Sequence, residues 1–243
     1  MPRMKSSEVI DIRWMVGGAR ECLLRAFKGL LMNITVDVIS DVICPWCLIG
    51  KRRLEKAIVA LGGKHEVQVH WHPFQLNPNM PSDGVSRKEY RISKFGSWER
   101  SQELDARLVA VGQSEGIHFD FDRIKWTPNT VDAHRLIWLA DQNGRQDAVM
   151  EALFLAYFTQ GQDISEREIL VDVVVQAGLE RERVKTLLDT DEGMEAIREA
   201  EGLSRRYRVE GVPFFLIHNE FNLSGAQSPE TFVAAFHNVI ASQ

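Results

Sequence analysis

The chain has 243 residues, 44% of them hydrophobic and 26% charged, which is the make-up of an ordinary globular protein long enough for one large domain or two small ones. Its net charge of −5 gives no support to nucleic acid or an anionic membrane as a partner, and three cysteines are too few for a disulfide framework.

Residues 1–31 hold an apolar stripe at helical spacing (Cys22-Leu23, Ala26-Phe27, Leu30-Leu31), but Arg13, Arg20, Glu21, Arg25 and Lys28 interrupt every apolar stretch. The segment is therefore read as neither a secretory signal nor a membrane span. It is expected to be an N-terminal extension, a loose tail or the stretch before a start at Met32, with no role for Cys22. A cytoplasmic protein is expected.

Residues 34–40 are β-branched and apolar at almost every position, fitting a strand buried on both faces. Cys44-Pro45-Trp46-Cys47 follows at once, and then a helix over residues 47–61 that stops at Gly62-Gly63. Two thiols spaced this way between a strand and a helix have the layout of a thiol–disulfide active site. The first would lie among unpaired backbone N–H groups at the positive end of the helix dipole, which stabilise a sulfur anion. The second lies one turn along, within reach to close a disulfide. A zinc site would need a further pair of ligands. His70 and His72 share a strand face but complete no tetrahedral set, so no metal is expected. Lys51-Arg52-Arg53 reads as the solvated face of the helix, and Asp41 as a cap of the turn.

Residues 66–74 alternate, with Val67, Val69, Trp71 and Pro73 on one side, completing a β–α–β unit with a right-handed crossover. Beyond Pro81 the period becomes helical. Ser86-x-x-Glu89 and Ser165-x-x-Glu168 have the form of capping boxes. Helices are expected over residues 98–114, from Asn129 or Thr130 to Asn143-Gly144, over 146–159, up to Gly178, and over 180–188 and 192–206. Residues 116–126 look irregular, with a short strand at most. Strand character returns at 212–218 and 221–224 around an Asn219-Glu220 turn, and Ser228-Pro229-Glu230 opens a final helix. The expected fold is α/β: a β–α–β … β–β–α mixed sheet from residues 32–80 and 203–243, with residues 81–202 as an all-helical insertion.

Several blocks in this order resemble the DsbA-like branch of the thioredoxin superfamily, and within it the FrnE-like proteins. They are Ser40-Asp41-Val42-Ile43-Cys44-Pro45-Trp46-Cys47-Leu48-Ile49-Gly50-Lys51-Arg52, Pro73-Phe74-x-Leu76-Asn77-Pro78, Asn129-Thr130-x-Asp132-Ala133-His134-Arg135-Leu136, Ala156-Tyr157-Phe158, Gly211-Val212-Pro213-Phe214-Phe215 and Ser224-Gly225-Ala226-Gln227. The resemblance implies a thioredoxin fold with a helical insertion. It also implies a protein disulfide oxidoreductase acting through a mixed disulfide on protein or small-molecule thiols and disulfides. Cys44 would be the attacking thiolate, Cys47 the resolving thiol, and Pro213 a cis-proline facing the pair. Val212 would offer its backbone to substrate, Pro45 and Trp46 would shape the groove, and Asn129 and His134 would face the site. No cofactor is implied beyond the redox-active disulfide, with glutathione as a candidate co-substrate. The chain departs from DsbA in having Trp46 where DsbA carries histidine. It also lacks the additional cysteine pair of some FrnE-like proteins, so a single redox centre is expected. Two other readings share the fold. One is a glutathione-binding transferase or isomerase of the kappa or 2-hydroxychromene-2-carboxylate isomerase type, in which Ser224-Gly225 would hold a glutathione carboxylate and serine usually stands in place of Cys44. The other is a peptide-binding chaperone.

Overall fold

The structure, a computed structural model, describes residues 32–242; the extension 1–31 and Cys22 lie outside the described residues. Strands β1 (Asn33–Ser40), β2 (Glu66–Pro73), β5 (Phe214–Ile217) and β6 (Phe221–Ser224) form one sheet in the order β2-β1-β5-β6. The β1–β2 pair is parallel with Asn33 opposite Glu66 and Ser40 opposite Pro73, and β5 runs antiparallel to both β1 and β6. Helix α1 (Pro45–Ala60) makes the crossover, and α9 (Pro229–Ala241) packs beside it.

Successive side chains of a strand point to opposite faces, and here both faces of β1 and β5 find apolar cover. Ile34, Val36, Val38, Phe215 and Ile217 join the main core with α1 and α9, where Phe215 meets Phe232 edge-on at 4.7 Å. Ile39, Phe214 and Leu216 point the other way, against Phe74, Leu203 and Tyr207. Burial on both faces is complete only at Val38, Ile39 and Ser40. Thr35 and Asp37 are half-buried, so β1 alternates over its first half and is enclosed only where it delivers the chain to the cysteines.

Between the halves of the sheet lie α2 (Arg87–Phe95), α3 (Trp98–Ser114), α4 (Val131–Gln142), α5 (Gln146–Phe158), α6 (Arg167–Gln176), α7 (Arg181–Leu188) and α8 (Met194–Arg206). Their apolar faces continue the main core without a break, through residues such as Leu136, Met150, Phe154 and Val184. A short ribbon, β3 (Val85–Ser86) with β4 (Trp126–Thr127), closes one side of the insertion; a short strand near residue 126 is within expectation, but its partner at Val85–Ser86 is not.

Several local expectations need correcting. Ser86 precedes α2 but its hydroxyl caps nothing, because Ser86 is held in the β3–β4 ribbon opposite Trp126. The second capping box fails too. Ser165 turns its hydroxyl to the Asp163 carboxylate at 2.5 Å, and α6 begins after Glu166. The hairpin turn sits one residue earlier than expected. His218 and Asn219 hold its left-handed positions, with φ of 51° and 56°, and Glu220 N–H closes it on the Ile217 carbonyl at 3.0 Å.

The largest correction concerns Lys51-Arg52-Arg53, which is an interface rather than a solvated face. The Lys51 side chain is 3% exposed; its ammonium pairs with Glu55 and lies 3.1 Å from Asp147 and 3.3 Å from Glu151 of α5. Arg52 grips Glu151, and Arg53 joins Glu115 and the Ala226 carbonyl, each at 2.6 Å. Burial alone would push Lys51 down, but the three carboxylates outweigh it and hold its ammonium above the ordinary value. Among the described residues no helix is long and apolar enough to cross a membrane, and no cluster of three or more His, Cys, Asp or Glu could hold a metal ion.

Candidate active site

Cys44 is the N-cap of α1, with extended backbone (φ −94°, ψ 111°), and Pro45 fills the first helical turn, where its missing N–H costs nothing. No side chain caps this end. Asp41, expected to cap the turn before the cysteines, accepts within that turn from a fully buried position. Its carboxylate accepts from Leu76 N–H at 2.8 Å and from Ile43 N–H at 3.4 Å, while its backbone carbonyl takes Cys44 N–H at 3.0 Å. A carbonyl can only accept, so the His134 Nε2 that lies 3.1 Å from Phe74 O carries a proton, and Asp41 Oδ1 stands 3.4 Å from the same nitrogen. Asp41 and His134 thus brace the loop that presents the cysteines to the strand that ends beside it.

Both thiols are free. The Cys44 thiol donates to the Val212 carbonyl at 3.4 Å, bringing the two ends of the sequence together. The Val212–Pro213 peptide is cis, and Gly225 N–H anchors the Pro213 carbonyl at 2.8 Å. Cys47 sits one turn inward with no exposure. Burial, reinforced by the hydrogen bond and the charge of Cys44, pushes its thiol well above the ordinary value, so Cys47 is held as the neutral partner. Helix α1 approaches this region closely at Gly50, where an added methyl would stand 3.0 Å from both Pro213 Cγ and Phe215 Cζ.

Beside Cys44 opens a cavity of about 490 Å3, bounded by Cys44, Pro45, Trp46 and Val212 on one side and by α2 and α3 on the other. Trp46 stands at its edge, 44% exposed. Of the residues singled out from sequence, Cys44, Pro45, Trp46 and Val212 line this space, whereas Cys47 and Pro213 are buried and outside its lining. Four others do not. Asn129 uses its amide on the Met80 carbonyl and on Val131 N–H, and His134 is 2% exposed. Ser224 projects from the outer strand opposite Phe214, and Gly225 is committed to Pro213. Missed from sequence were Leu76, Arg87, Tyr90, Arg91, Lys94 and Arg107, which also line the cavity. The only available signal was the four-residue spacing of Arg87 and Arg91 on one helix face. Tyr157 also reaches it, its hydroxyl pushed well above the ordinary range chiefly by burial, so it is a neutral donor.

Comparison with known proteins gives a consistent picture. The Bacillus subtilis (strain 168) protein YwbO, itself uncharacterized, is 28% identical over 207 residues, covering 84% of this chain and 96% of that one. A crystal structure of a probable DsbA oxidoreductase from Streptomyces coelicolor is 30% identical, with a TM-score of 0.80 over 86% of this chain and 91% of that one. The cytosolic disulfide reductase DsbM from Pseudomonas aeruginosa shares the fold at 18% identity, with a TM-score of 0.63 over 86% of this chain and 100% of that one. The model of the DSBA-like thioredoxin domain matches residues 35–237, and the chain belongs to that family of thiol–disulfide oxidoreductases.

Proposed function

We propose that the protein exchanges a Cys44–Cys47 dithiol with substrate disulfides through a mixed disulfide. The observation that carries this reading is the unequal setting of the two sulfurs. Cys44 is at a helix N-terminus on the wall of a cavity, and Cys47 is buried one turn behind it with its proton retained. The Cys44 thiolate attacks one substrate sulfur, the substrate S–S bond breaks, and one thiolate leaves with the electron pair. Loss of the negative charge on Cys44 removes one of the causes that raise Cys47. Cys47 can then give up its proton and attack the Cys44 sulfur, expelling the second thiolate. Two electrons pass from the cysteine pair to the substrate, and the reverse sequence oxidises a substrate dithiol.

Protein and small-molecule thiols or disulfides are the substrates we propose, with glutathione as a co-substrate and no further cofactor. The likeness to DsbM, which has also been solved with GSH, supports the glutathione assignment. The FrnE-like subgroup and a cytoplasmic setting are part of the same proposal. They are supported by the matching sequence blocks, by the small number of cysteines and by the fold shared with a cytosolic reductase. The test is a pair of variants. Cys44→Ser should abolish turnover, and Cys47→Ser should accumulate mixed disulfides on Cys44, seen by mass. Turnover retained in both variants would overturn the mechanism.

A further inference from the structure

The cavity beside Cys44 has a charge pattern at odds with the rest of the chain. Four cations line it, Arg87, Arg91, Lys94 and Arg107, and no carboxylate does, in a protein of net charge −5. Asp105 stands behind the first two, 2.7 Å from Arg87 and 2.6 Å from Arg91, one negative charge against two positive ones. Burial, with a smaller contribution from the neighbouring Arg87, holds Arg91 below its ordinary value in spite of Asp105. Lys94 and Arg107 lie exposed at the mouth, and neither has a carboxylate partner among the described residues; the Lys94 ammonium donates to the Tyr90 hydroxyl at 2.6 Å. Much of the remaining surface is apolar, including Leu104, Phe121 and Phe158. A volume of about 490 Å3 suits a small ligand. A neutral ligand would cover these cations without pairing them, at a desolvation penalty that an anion would offset.

The geometry points to small disulfides bearing an acidic group on an apolar, aromatic body as the substrate class of Cys44, an assignment that rests on the exchange reaction proposed above. The anion meets Lys94 and Arg107 at the mouth, and the ring lies on the apolar wall with its sulfur toward Cys44. The Cys44 thiolate forms the mixed disulfide and the first aryl thiolate leaves with the bonding pair. Cys47 then closes the Cys44–Cys47 disulfide and releases the second. One dithiol and one diaryl disulfide give one protein disulfide and two aryl thiols, so a prereduced protein completes one turnover without another reductant.

The test mixes the prereduced full chain with dithiobis(nitrobenzoate), an anionic aromatic disulfide, and with dithiodipyridine, a neutral one. Each single-turnover rate is divided by that of a neutral reference thiol with the same probe. The normalised rates should favour the anionic probe by about tenfold or more at low salt, as expected for a focused positive potential. The preference should shrink as salt is raised. It should fall toward parity in Lys94→Gln/Arg107→Gln and return in Lys94→Arg/Arg107→Lys, which separates charge from general damage to the fold. Equal normalised rates in the native chain, or a ratio unmoved in the charge-removing double variant, would overturn the assignment and leave the exchange reaction standing. So would a protein disulfide that consumes the dithiol faster than the anionic probe after the same normalisation. No thiol released from any disulfide would overturn both.

Discussion

The Cys44 thiol and the Val212 carbonyl meet at 3.4 Å across a sequence separation of 168 residues. The contact joins the first β–α–β unit to the closing hairpin, so the wall around the sulfur depends on how closely α1 lies against β5. That approach is set by Gly50. Its missing side chain lets the helix close on Pro213 and Phe215, each of which would stand 3.0 Å from an added methyl.

Gly50→Ala should therefore lose stability in spite of alanine's better helix propensity. Overpacking of this kind costs about 1–3 kcal/mol, against about 1 kcal/mol gained from replacing glycine in a helix. Urea unfolding of the native and variant chains measures the balance, and the alkylation rate of Cys44 reports whether the Val212 wall has shifted. Gly202→Ala is the control. It lies in α8 with only the Arg205 guanidinium within contact, at 3.9 Å, so the same exchange there should be neutral or stabilising.

Asp41 should prove a structural pin. Asp41→Ala removes the acceptor of Leu76 N–H and leaves His134 facing an unfilled polar site, a loss of about 1–3 kcal/mol for a buried hydrogen-bond partner. Asp41→Asn keeps an oxygen for Leu76 and should lose less. Unfolding curves that place Asp41→Ala level with the native chain would show that this carboxylate braces nothing.

The stability of the reduced protein should fall on both sides of neutrality. Cys47 is raised above its ordinary 9.0 and Tyr157 above 10.0. Above those values the unfolded chain releases protons that the native chain still holds, so unfolding gains as pH rises, by up to about 1.4 kcal/mol per pH unit for each group. Oxidising the cysteine pair removes the Cys47 contribution, and the alkaline limb should become shallower. On the acid side, burial would raise Glu151, but Arg52 and Lys51 more than offset it and hold it below its ordinary 4.5. The stability it supplies is present above that value and is lost as pH falls through the depressed one. Midpoints of thermal unfolding across pH, for oxidised and reduced protein, would check both limbs.

Much of this was legible in the sequence where local chemistry and tertiary demand agree. Residues 98–114 form the expected helix, Ser228 caps α9 through Thr231 N–H, and Pro229 begins it. The cysteine pair falls between a strand and a helix as its flanking residues require. Legibility failed where the cause is a distant partner. Two-residue strands carry no period of their own, so Val85–Ser86 exists as a strand only because Trp126–Thr127 lies alongside. The same ribbon withdraws Ser86 from its capping role. Lys51-Arg52-Arg53 looks solvated until Glu115 arrives from the end of α3 and Asp147 and Glu151 from α5, and nothing near residue 51 foretells them. The cations of the cavity are likewise scattered over α2 and α3, and only packing turns them toward Cys44.

The most direct measurement equilibrates the protein with graded glutathione redox buffers, traps free thiols and counts the modified sulfurs on Cys44 and Cys47 by mass. The account predicts that both disappear together in a single two-electron transition to an internal disulfide, with a tenfold change in equilibrium for every ~30 mV. Cys44 glutathionylated while Cys47 remains a free thiol across the whole range would contradict it.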